Sequence, residues 1–104
     1  MNIQKMMKQA QQMQEKLAQT QAELADKTVE VTAGGGKLTV VANGAGDVLS
    51  IKISKEIVDP EDVEMLEDLI LTGVRQAIQQ GRDVAQKEMA KITAGMGLPP
   101  GLGL

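Results

Sequence analysis

The chain has 104 residues, room for one domain with a modest core, and 14 acidic against 11 basic side chains give it a net charge of −3. It contains no His, Cys, Trp, Tyr or Phe. Those absences remove the usual general base near neutral pH, thiol nucleophiles and disulfides, the soft ligands of zinc and iron sites, and the aromatic platforms on which single strands of nucleic acid stack.

Ile3, Met6, Ala10, Met13, Leu17, Thr20 and Leu24 recur at alternating steps of three and four. This heptad spacing draws one narrow apolar stripe along a first helix over residues 2–25, rich in Gln, Ala, Met, Leu, Glu and Lys. At 1.5 Å per residue the stripe runs roughly 33 Å, against a radius of gyration of about 13 Å for a compact domain of this size. Such a helix outreaches any core the chain can build, so a partner is expected, first a second copy of the chain. No continuous apolar run follows the opening lysines, so neither a secretory signal nor a membrane span is expected, and the chain reads as intracellular and soluble.

Three strands follow. Residues 28–33 alternate, with Val29 and Val31 on one face and Glu30 and Thr32 on the other. Gly34-Gly35-Gly36 supplies a turn into a second strand over 37–42, and Asn43-Gly44-Ala45-Gly46-Asp47 a turn into a third over 48–53. In the third strand Leu49, Ile51 and Ile53 are expected on one face, Ser50 and Lys52 on the other. The Gly34-Gly35-Gly36-Lys37 run superficially matches a phosphate loop, but Leu38 stands where that motif needs Ser or Thr, and a strand follows where it needs a helix. It reads as a hairpin turn.

A second helix is expected from Asp59 as N-cap and Pro60 as first helical residue through Ala94, with Gly95 as its stop. Apolar residues recur at Val63, Leu66, Ile70, Val74, Ala77 and Ile78, then at Val84, Ala85, Met89 and Ile92. Gly73, Ala77, Gly81 and Ala85 fall four apart and form a smooth ridge suited to close packing. Asp59, Glu61, Asp62, Glu64, Glu67 and Asp68 read as a cap and a solvated acidic face rather than a cation site. Residues 1–94 thus form an α+β domain, helix–three-stranded antiparallel sheet–helix, and 95–104 a flexible Gly/Pro-rich tail. Three short strands need more cover than two helices on one face provide, so dimerisation through sheet edges or helix seams is expected, with the helices projecting.

The basic residues carry the functional signal. Lys5, Lys8 and Lys16 lie within an arc of about 80° at 100° per residue, off the apolar seam. Lys5 and Lys8 stand near a helix N-terminus, where the dipole disfavours cations, so helix stability does not account for them. Arg75, Arg82, Lys87 and Lys91 occupy the C-terminal half of the second helix, where cations are intrinsically favoured and Asp83 is spaced to pair with Lys87.

Met6-Met7-Lys8-Gln9-Ala10-Gln11-Gln12-Met13-Gln14 resembles the opening helix of the YbaB/EbfC family of bacterial nucleoid-associated proteins. Met65-Leu66-Glu67-Asp68-Leu69 and Gly95-Met96-Gly97-Leu98-Pro99-Pro100-Gly101 resemble later parts of it, and the match extends over essentially the whole chain. The resemblance implies a small cytoplasmic homodimer of the nucleoid whose paired helices project like tweezers and bind double-stranded DNA with little sequence preference. Carried over, its DNA contacts fall on Lys5, Lys8 and Lys16, with Arg75, Arg82, Lys87 and Lys91 on the second helix. No catalytic residue, cofactor, metal or small-molecule substrate is implied, and an enzyme is not expected. The alternative is an adaptor that docks onto a protein through the Met-rich seam at Met6 and Met13. Salt separates the two, because phosphate binding weakens with salt and apolar docking does not.

Overall fold

The structure, a computed structural model, describes residues 2–95; the expected Gly/Pro-rich tail beyond Gly95 lies outside the described residues. In chain order the elements are helix α1 (Ile3–Asp26), strands β1 (Thr28–Ala33), β2 (Leu38–Asn43) and β3 (Val48–Ile53), a 3-10 turn (Lys55–Ile57) and helix α2 (Val63–Gly95). The strands form one antiparallel sheet in the order β1-β2-β3. The fold is α+β, the helix–meander–helix order that the sequence predicts.

The three glycines between β1 and β2 adopt φ of +62°, +68° and +87°, the left-handed region in which a Cβ is strained. The chain therefore reverses tightly there, and β2 starts one residue later than expected. Between β2 and β3 the register shifts: Val41 pairs with Ser50 but Ala42 with Val48. Leu49 is the extra residue of a β-bulge and so leaves the strict alternation expected for it with Ile51 and Ile53.

Val31, Leu38, Val40 and Ala42 on one face of the sheet enclose Ala77 of α2, with Val29, Ala33, Leu69, Ile70 and Val74 around them. The small-residue ridge is what lets α2 come this close. A Cβ on Gly73 would stand 3.0 Å from Val40 Cγ2, and one on Gly81 only 2.4 Å from the Asn43 carbonyl oxygen. The tight contact offsets the roughly 1 kcal/mol that each helical glycine costs relative to alanine.

Helix α2 begins later than the sequence suggests. Asp59 is not its cap: its side chain accepts from the Glu61 amide at 2.9 Å, an i+2 bond that closes a local turn. Asp62 then caps the helix, accepting from the Met65 amide at 3.3 Å, and Pro60 lies in the turn before it.

Helix α1 is anchored at one end only. Leu24 and Thr20 are buried, Leu17 and Met13 half-buried, and every residue from 2 to 12 is exposed. Its hold on the sheet is Asn43, which is 3% exposed. The Asn43 side chain donates to the Ala25 carbonyl at 3.2 Å and accepts from the amides of Ala45 at 3.0 Å and Asp47 at 2.9 Å. One amide thus joins the C-terminus of α1 to the β2–β3 turn. The Gly44 amide adds bonds to the carbonyls of Leu24 and Lys27, both at 3.0 Å. The result measures 71 × 22 × 17 Å with a radius of gyration of 19.4 Å, far beyond the about 13 Å of a compact domain of this size.

Candidate nucleic-acid interface

Along α1 the outer half is held helical by its composition and by Asn2, whose side chain accepts from the Lys5 amide at 3.2 Å. Lys5, Lys8 and Lys16 are all exposed on this arm. Among the described residues none of the three forms a salt bridge. Their ammonium groups are available to an anion on the face turned away from the Ile3–Met6–Met13 stripe.

The α2 cations divide. Arg75 and Arg82 are two turns apart and share a face within about 20°, opposite the Gly73–Ala77 ridge that meets the sheet. Lys87 and Lys91 point elsewhere, so the four do not form a single surface. The Asp83–Lys87 pair expected from spacing does not form; Asp83 instead accepts from Gln79 Nε2 at 3.1 Å, one turn earlier. Lys91 is engaged with Glu88 at 3.3 Å, and Glu88 is shared with Lys27 at 2.7 Å. These bonds, that from Lys27 foremost, hold the Glu88 carboxyl below its ordinary value. The trio pins the start of β1 to the distal half of α2 and leaves one net positive charge there.

The opposite end of α2 is electronegative. An open cleft of about 400 Å³ is lined by Asp62, Glu64, Met65, Asp68, Leu69 and Thr72, three of them carboxylates, which repels phosphate from that end. Among the described residues no group of three or more acidic side chains gathers to hold a metal ion. No described helix is long and apolar enough to cross a membrane. The molecule is therefore polarised, with acidic groups at the start of α2 and unpaired lysines on the free arm.

Residues 1–96 match the model of the YbaB/EbfC DNA-binding family. The chain belongs to this family. A nucleoid-associated protein of Thermoanaerobacter pseudethanolicus is 52% identical over 98 residues, covering 94% of this chain and 88% of the relative. One from Acetivibrio thermocellus is 50% identical over 101 residues, covering 97% and 89%. A crystal structure of an uncharacterized protein from Helicobacter pylori superposes with a TM-score of 0.64 at 20% identity, over 78% of this chain and 93% of that one; it shares the fold. Sequence spacing put Lys5, Lys8 and Lys16 on one arc, and the structure leaves all three exposed; the spacing did not single out Asn43, the YbaB/EbfC chain's elbow, whose Asn-Gly context reads simply as a turn.

Proposed function

We propose that this chain is a nucleoid protein that binds double-stranded DNA as a homodimer, with little sequence specificity, through the basic residues of its projecting helices. The observation that carries the reading is Lys5, Lys8 and Lys16 on one exposed, unpaired arc of an arm whose outer half packs against nothing described. Binding proceeds by neutralising phosphates and releasing counterions, so affinity comes from the backbone and not from base edges. Arg75 and Arg82 form a second contact line on α2. Lys87 contributes singly, and Lys91 contributes less because Glu88 already holds it.

Support for the dimer comes from β3. It is an outer strand, and Ile51 and Ile53 pair with Val40 and Leu38, which places them on the core side of the sheet. Yet Ile51 is 42% and Ile53 38% exposed, because α2 covers β1 and β2 and stops short of β3. An apolar outer strand with only Lys52 to guard it invites pairing with a second copy. Dimerisation doubles the lysines and sets two arms at a fixed separation, which lets a chain with an overall charge of −3 hold a polyanion.

The test is a fluorescence-anisotropy titration of two labelled duplexes of unrelated sequence at low salt, with the wild-type chain and a Lys5→Gln, Lys8→Gln, Lys16→Gln variant. The reading expects both duplexes to bind within a few-fold of each other and the variant to bind both more weakly. Strong preference for one duplex, or equal binding by the variant, overturns it.

A further inference from the structure

The elbow is built from Asn43 followed by Gly44. In this dipeptide the following backbone nitrogen attacks the side-chain amide with least hindrance, because glycine has no Cβ to block the approach. The fold demands both residues. A Cβ on Gly44 would stand 2.8 Å from Leu24 Cδ2 and 3.2 Å from the Leu24 carbonyl oxygen, so the close seat of α1 admits only glycine. At position 43 the seat needs a donor to Ala25 and an acceptor for Ala45 and Asp47 in one short side chain, which asparagine supplies.

The seated elbow also holds this chemistry off. The Gly44 amide, the attacking group, donates to the carbonyls of Leu24 and Lys27, both at 3.0 Å. The Asn43 side-chain nitrogen, the leaving group, donates to the Ala25 carbonyl at 3.2 Å, and the amides of Ala45 and Asp47 fix the side-chain oxygen. Burial keeps out the water that completes the reaction, Asn43 being 3% exposed. The bonds to Leu24, Ala25 and Lys27 all end at the C-terminus of α1, so they hold only while α1 is seated. That helix buries only Thr20 and Leu24, and elements with so small a seat open at lower free energy than the core.

We propose that Asn43–Gly44 is a self-deamidation site uncovered by the lifting of α1, and that the reaction makes the lift permanent. The Gly44 nitrogen gives up its proton and bonds to Asn43 Cγ, the Cγ–Nδ2 bond breaks, and ammonia leaves from a five-membered imide. Water then opens the imide at Cγ, leaving aspartate, or at the main-chain carbonyl, leaving isoaspartate. Neither product reseats the arm. Aspartate has no donor for the Ala25 carbonyl and turns a carboxylate oxygen towards it. Isoaspartate carries an additional methylene in the main chain and so displaces the Gly44 amide from Leu24 and Lys27. The proposal stands independently of DNA binding.

The test incubates the full chain at mildly alkaline pH, releases the peptide from Leu38 to Lys52 with trypsin, and separates and weighs its asparagine, aspartate and isoaspartate forms. Asn2, followed by the branched Ile3, is the internal reference. Asn43 in the folded chain is expected to convert about 100-fold more slowly than in urea. Leu17→Ala and Leu24→Ala, which loosen α1, should each speed conversion about tenfold, whereas Val31→Ala, a similar loss from the sheet, should leave it within about twofold. Circular dichroism checks that each variant is folded, and the half-buried Leu17 decides where Leu24→Ala does not hold the fold. In Asn43→Asp, hydrogen exchange from Met13 to Leu24 should quicken about tenfold while Leu38 and Val40 keep their protection. Conversion in the folded chain as fast as in urea, equal acceleration by Val31→Ala, or unchanged α1 exchange in Asn43→Asp each overturns the proposal.

Discussion

Replacing Asn43 with alanine removes the elbow without touching either helix face. The substitution deletes three side-chain hydrogen bonds, to Ala25 at 3.2 Å, Ala45 at 3.0 Å and Asp47 at 2.9 Å, at a residue 3% exposed. At a net value of about 1 kcal/mol each, the loss is about 3 kcal/mol, a large part of the roughly 5–15 kcal/mol that stabilises a typical domain. With a urea dependence of about 1.5 kcal/mol/M, the unfolding midpoint falls by about 2 M. With no Trp, Tyr or Phe in the chain, far-UV circular dichroism is the assay, run at one fixed protein concentration because the proposed dimer would make stability depend on concentration. The folded variant should also bind duplex more weakly, because the arm's angle is no longer set. A midpoint within about 0.3 M of wild type, on the same denaturant dependence, would refute the assignment of Asn43 as the joint between α1 and the sheet.

Gly81→Ala should destabilise by about 1–2 kcal/mol in the same assay despite alanine's better helix propensity, because its Cβ meets the Asn43 carbonyl at 2.4 Å; a gain in stability contradicts the packing. Ile51→Glu combined with Ile53→Glu should yield a folded monomer by sedimentation with weakened duplex binding, and a variant still dimeric would move the interface away from β3. Glu88 bears on pH. Its carboxyl is held below its ordinary value by Lys27 and then Lys91, so the stability it contributes is present above the unfolded-state value and is lost as pH falls through the folded one. Glu88→Gln should therefore be less stable than wild type at pH 7 and flatten the acid limb of a pH–stability curve, and an unchanged acid limb contradicts the pairing.

Much of this architecture was legible because it rests on periodicity. The alternation Val29–Glu30–Val31–Thr32 and the four-residue ridge from Gly73 to Gly81 each encode one face that packs where its period puts it, and the heptad from Ile3 to Leu24 does so over its inner half, Met13 to Leu24. What was not legible depended on competition between local bonds or on contacts distant in sequence. Asp59 and Asp62 are both competent caps three residues apart, and only the geometry of the chain entering α2 decides that Asp59 closes a turn. Gln79 outcompetes Lys87 for Asp83, a choice that spacing leaves open. The Lys27–Glu88 pair spans 61 residues and the Asn43–Ala25 bond 18, so neither leaves a local trace. Of the candidate DNA contacts, the arc of Lys5, Lys8 and Lys16 followed from helical spacing alone, whereas the engagement of Lys91 with a shared carboxylate required the fold.

The claim that binding runs through phosphate contacts of the α1 lysines is tested most directly by the salt dependence of duplex affinity. Each phosphate contact contributes about −0.9 to the slope of log K against log salt, and a dimer presents Lys5, Lys8 and Lys16 twice. If all six engage, the Lys5→Gln, Lys8→Gln, Lys16→Gln variant should show a slope shallower than wild type by about 5. Parallel slopes for the two proteins would contradict the account and place the phosphate contacts elsewhere on the molecule.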